Sequence, residues 1–134
     1  MSSPARAIAF PQLKKILFAT DFLHCSAAAL NCAGALAQQC GSTIHLVHVV
    51  VPASGGPAPL DTDKAVRSAR SEMHKLVHLP SLANVSYRAF IARGAVAEVL
   101  GRTIQKGNVD LIVLGTHGRS GPARAHCPVL TVRS

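Results

Sequence analysis

The sequence predicts an α/β protein built on an open, Rossmann-like parallel sheet. Short apolar runs of buried-strand character alternate with longer stretches of helical period, in the order β-α-β-α-β-α-β with a short strand to finish. One such run, Leu111 to Leu114, leads straight into Gly115, Thr116, His117 and Gly118. Glycines past the carboxyl end of a buried strand let the backbone turn and approach a ligand, and open parallel sheets bind ligands at that edge.

Lys14 to Thr20, KKILFAT, is the first strand, with the lysines at its entry and Asp21 directly after it. Ser26 is an expected N-cap for the alanine- and leucine-rich segment AAALNCAGALAQQC, which Gly41 ends as a C′ residue. Thr43 to Val51, rich in β-branched residues, is the second strand. Pro52 to Pro59 holds three prolines and two glycines and reads as a loop, too short to divide the chain. Asp61 and Asp63 then open a helix that runs towards Pro80, their charge suiting its dipole. Asn84 to Ala92 alternates in part, as a strand near an edge does. Gly94 to Gly107 is the third helix, Asp110 to Leu114 the fourth strand and Val129 to Val132 a short fifth. Residues 1–134 make one domain of ordinary size, and the alternation implies a parallel sheet with right-handed crossovers and helices on both faces.

Hydrophobic residues are 49% of the chain and charged residues 15%, the composition of a globular protein. No apolar run approaches the ~18 residues that span a bilayer, and the first dozen residues lack a signal-peptide core, so the expected location is the cytoplasm. The net charge of +8 comes from 14 basic against 6 acidic residues. The basic residues are scattered and the aromatics few, which argues against a specific nucleic-acid surface and favours a small anionic ligand. Cys25, Cys32 and Cys40 fall on one stripe of the first helix, as small buried apolar residues do, and no CxxC pair is present. His74 and His78 are four apart, but without a third ligand no metal is expected.

Asp21, at the end of strand one, and Gly115 to Gly118, at the end of strand four, face one another if those strands are neighbours. A carboxylate beside backbone N–H groups suits a ribose and its phosphate. The P-loop and the GxGxxG fingerprint are both missing, and no catalytic constellation is present. His117 lies in the glycine segment and is a candidate general base or phosphate ligand.

The segments KKILFATDF, IHLVHVV, DLIVLGTHGRSG and CPVLTVR, in that order, resemble the universal stress proteins from Lys14 to Arg133. The resemblance implies a five-stranded parallel sheet of order 3-2-1-4-5, and ATP binding in many members. By the same resemblance Ala19, Thr20 and Asp21 meet the nucleotide, with Asp21 at the ribose. Val49 reads adenine through its backbone, and Gly115, Thr116, His117 and Gly118 open the family signature G-x2-G-x9-G-[ST]. The second half of that signature and the helix after it are missing here, since only Arg119 to His126 separate Gly118 from Cys127. Two functions follow as expectations. One is a stress-response protein with a weakened site for ATP or another adenine nucleotide, hydrolysing it slowly at most. The other is a nucleotide-free interaction protein, a homodimer joined through the edge strand Pro128 to Val132.

Overall fold

A computed structural model describes residues 13–22, 25–51, 59–116 and 129–133. The sheet is an α/β, Rossmann-like parallel sheet, as expected, with β1 (Lys15–Ala19) in its middle. The other strands are β2 (Thr43–Val50), β3 (Ser86–Arg93), β4 (Leu111–Thr116) and β5 (Val129–Arg133), in the order β3-β2-β1-β4-β5, each pair parallel. The helices are α1 (Cys25–Cys40), α2 (Pro59–Val77) and α3 (Val96–Gly107), with a short 3-10 turn at Pro80–Leu82.

Ile16, Leu17 and Phe18 are all fully buried, so β1 is covered on both faces, as its unbroken apolar run requires. Its register is pinned at the start by Asp110. One carboxylate oxygen, Oδ2, accepts from the N–H groups of Lys14 and Lys15 at 3.0 Å each, while the Asp110 N–H donates to the Lys15 carbonyl at 2.9 Å. These charge-assisted bonds tie the entry of β1 to that of β4.

Alternation along the strands divides the core in two. Ile16, Phe18, Ile44, Leu46 and Val113 face Ala29, Leu30 and Ala33 of α1 and Met73 and Leu76 of α2. Leu17, Val47 and Ile112 face Leu100 of α3 on the other side. Each large side chain so buried is worth about 1.5–3 kcal/mol.

Helix ends depart from the sequence reading in three places. α1 starts at Cys25, so Ser26 lies inside the first turn and its hydroxyl pairs with that of Thr20 at 2.6 Å instead of capping. Gly41 does close α1: at φ 68° it lets Ser42 N–H reach back to the Ala37 carbonyl at 3.0 Å, a Schellman bond. α3 is closed by Asn108 in the left-handed conformation, φ 53°, rather than by Gly107, because asparagine tolerates that region. Pro59 opens α2 rather than ending a loop, which suits its fixed φ.

Cys32 and Cys40 are exposed, against the expectation of a buried cysteine stripe. The face of α1 that packs on the sheet is Ala29, Leu30, Ala33 and Ala37, and Cys32 lies beside it. Among the described residues no helix is long and apolar enough to cross a membrane.

On the α3 face, His45 stands opposite Arg88 of β3, with Lys15 on the adjacent β1. Partial burial, followed by the charges of Lys15 and Arg88, holds the imidazole below its ordinary value of 6.5. The unfolded chain therefore takes up this proton at a higher pH than the folded one. His45 contributes stability above pH 6.5 that is lost as the pH falls through its lowered folded value. Urea denaturation followed from pH 7.5 to 5 is expected to show this loss, and His45→Gln to reduce the slope.

Candidate functional site

The carboxyl edge of the sheet is assembled by β1, β2 and β4. Ala19, the last residue of β1, is paired with Val47 on one side and Leu114 on the other. Thr20 N–H continues the ladder to the Val47 carbonyl at 3.0 Å, which brings Asp21 to the rim, exposed. Val49 lies two residues beyond Val47 and Gly115 one beyond Leu114. The half-buried side chains of Ala19, Val49 and Leu114 join one apolar cluster on the α3 face. The edge thus gathers Ala19, Asp21, Val49 and Gly115.

Gly115 and Thr116 are not in the loop that the sequence suggests. They extend β4 and pair with Val132 and Arg133 of β5, because a parallel neighbour on the outer side prolongs the strand. His117 and Gly118 lie outside the described residues, as do Arg119, Ser120, Gly121, Cys127 and Pro128.

The turn after β1 is built more tightly than its sequence suggests. Thr20 and Ser26 are buried, and their hydroxyls satisfy each other. The Phe22 N–H donates to Thr20 Oγ1 at 2.9 Å. Phe22 itself is held at φ 64°, a conformation that costs a bulky L-residue roughly 1–2 kcal/mol. The offset comes from its ring, which packs against both apolar clusters on the α1–α2 side and stacks on His48 with centroids 4.3 Å apart. His48 Nδ1 lies 2.7 Å from the Thr20 carbonyl oxygen.

Phe22 and His48 are the residues that motif reasoning passed over. The available signal was a polar ring, His48, set within the apolar end of β2, VHVV, next to the Val49 already singled out.

Among the described residues no group of three or more His, Cys, Asp or Glu side chains could hold a metal ion. In the pair His74 and His78 the rings lie 4.3 Å apart, and His78 Nδ1 is engaged with the His74 carbonyl at 2.7 Å.

Comparison with known proteins adds four findings. The family model described as the universal stress protein family matches residues 12–133. Universal stress protein A homolog 1 of Coxiella burnetii is 31% identical over 116 residues, 81% of this chain and 79% of that protein. Among solved structures, the universal stress protein UspA from Lactobacillus plantarum superposes with a TM-score of 0.74 at 22% identity, covering 92% of this chain and 99% of the other. A universal stress protein from Archaeoglobus fulgidus, in complex with dAMP, superposes with a TM-score of 0.63 at 15% identity, covering 90% and 98%. At such identities the two structures speak for the fold.

Proposed function

Because this chain belongs to the universal stress protein family, we propose that its sheet edge binds an adenine nucleotide through base and ribose, with a weak grip on the phosphates. The observation that carries the reading is the convergence of Asp21, Val49 and Gly115 from three neighbouring strands onto one rim. In this reading the Asp21 carboxylate accepts from the ribose hydroxyls. The Val49 backbone meets the adenine edge, while Ala19 and Thr20 line the approach. Gly115, Thr116, His117 and Gly118 are the remaining contributors to the nucleotide site in this reading. The dAMP complex of the Archaeoglobus relative supports an adenine nucleotide as the ligand class.

The weak phosphate grip rests on the short sequence between Gly118 and Cys127. A helix N-terminus placed there would bind phosphate through its free N–H groups. Every charge-assisted bond to phosphate lost with the second half of the signature costs about 1.5–3 kcal/mol, and two together about two to four orders of magnitude in affinity. Calorimetry is therefore expected to give nearly equal affinities for adenosine, AMP and ATP, and hydrolysis to be slow at most. Submicromolar ATP binding with strong preference over AMP would overturn the weak-phosphate reading.

A second proposal concerns assembly. β5 ends the strand order, and among the described residues its backbone pairs only with β4. A short apolar edge strand invites pairing, and we assign a homodimer to the segment Pro128 to Val132. Sedimentation at tens of micromolar is expected to return a dimer; a monomer counts against it.

A further inference from the structure

We propose that His48 is a positioning residue for Asp21, acting through a latch that it forms with Phe22 around the Thr20–Phe22 turn. The proposal rests on the reading of Asp21 as the ribose acceptor. Its test separates the failure of the one from the failure of the other.

The latch has three grips. The carbonyl of Thr20 can only accept, so the His48 ring nitrogen 2.7 Å away carries the hydrogen, and the imidazole is tied down as the Nδ1–H form. This bond reaches from β2 to the residue just before Asp21. The residue just after Asp21 is held by its ring, which stacks on the same imidazole at 4.3 Å with the planes 30° apart. The third grip is the Thr20 hydroxyl, which accepts from the Phe22 N–H at 2.9 Å and is fixed in turn by Ser26 at 2.6 Å, at the start of α1.

Asp21 is therefore the one exposed residue of a turn whose two flanking residues both rest on one histidine. The backbone at Phe22, φ 64°, sits in a minor well that a phenylalanine leaves unless its surroundings hold it there. Release of Phe22 to negative φ swings the peptide between residues 21 and 22, and with it the direction of the Asp21 side chain. His48 needs no contact with the ligand to act in this way. It sets how much of the time the carboxylate is already aimed, and ordering a group in advance improves affinity without adding a contact.

Two substitutions divide the ring into its parts. His48→Asn keeps an N–H donor near the position of Nδ1 and loses the stacking face. His48→Phe keeps an aromatic face and loses the donor. Two measurements are made on each full-length variant: amide hydrogen exchange at Phe22 without ligand, and adenosine affinity by calorimetry.

For His48→Phe the expected result is exchange at the Phe22 amide about tenfold faster and adenosine binding about tenfold weaker, the scale of one lost hydrogen bond. For His48→Asn both values are expected to return to within about threefold of the parent protein. Should His48→Phe fail to fold, Phe22→Leu replaces it. That change keeps apolar bulk but removes the stacked ring, and faster exchange at residue 22 with about threefold weaker adenosine binding is expected.

Unchanged exchange at residue 22 in His48→Phe and Phe22→Leu overturns the latch. Equal damage from His48→Phe and His48→Asn, matched by equal loss of Tm, shows a packing role only and also overturns it. If the parent protein binds no adenosine, the nucleotide reading fails alone, because the exchange contrast still decides whether His48 holds the turn. If adenosine binds but the two variants do not differ, the positioning role fails and the nucleotide reading stands.

Discussion

Asp21→Ala is expected to weaken adenosine binding by about a hundredfold or more. An ionised carboxylate that accepts from both ribose hydroxyls makes two charge-assisted bonds, each worth roughly 1.5–3 kcal/mol, and tenfold in affinity corresponds to about 1.4 kcal/mol. If the phosphates are weakly held, as proposed, few other interactions remain to compensate. Asp21→Asn keeps one carbonyl oxygen as acceptor and should fall between the parent and the alanine variant. Calorimetry with adenosine gives the ratio, and a thermal melt on the same samples separates lost binding from lost folding. An alanine variant that binds adenosine as tightly as the parent would remove Asp21 from the site.

Gly34→Ala is expected to destabilise the fold by about 2 kcal/mol, although alanine is the better helix former by nearly 1 kcal/mol. The cause is the approach of α1 to the 3-10 turn. A Cβ on Gly34 would stand 2.2 Å from the Ser81 carbonyl oxygen and 3.1 Å from its carbon, both backbone atoms. Relief requires the whole turn to move away. That movement pulls at the Asn31–Ser81 side-chain hydrogen bond and at the bond from Gln38 Nε2 to the Ala83 carbonyl at 3.1 Å. Gly101→Ala is the control. A Cβ there, on the exposed side of α3, meets nothing within 4 Å, and the change should stabilise by up to about 1 kcal/mol. Denaturant titration of the two variants should therefore give opposite signs. Equal signs would mean that helix propensity, not the Ser81 contact, governs position 34.

The features legible in the chain are those whose cause is local. Unbroken apolar runs such as Ile16 to Phe18 and Leu111 to Val113 announce strands buried on both faces, and the structure buries all six residues. Gly41 announces a left-handed helix end because so few residues tolerate that conformation. The strand-end position of Asp21 follows from the same reasoning, since the ladder continues through Thr20 and stops. Local reasoning misplaced Ser26, whose hydroxyl is as good a cap as any until a buried hydroxyl six residues earlier competes for it. It likewise placed Gly115 in a loop, because glycine after a strand usually turns the chain, and pairing with Val132 keeps it extended.

By itself, then, the sequence determined the alternation of strands and helices, the parallel sheet, the family, and which strand ends carry the candidate ligand groups. Only the tertiary structure decided that α1 and α3 lie on opposite faces. Each parallel crossover must be right-handed, and the path from β3 to β4 runs back across the sheet. The bonds that shape the site were likewise settled there. His48 meets the Thr20 carbonyl across 28 positions of chain, and Asp110 meets Lys14 across 96. Periodicity and turn preference act over a few residues. Contacts at such separations exist only once the register of neighbouring strands has brought them side by side.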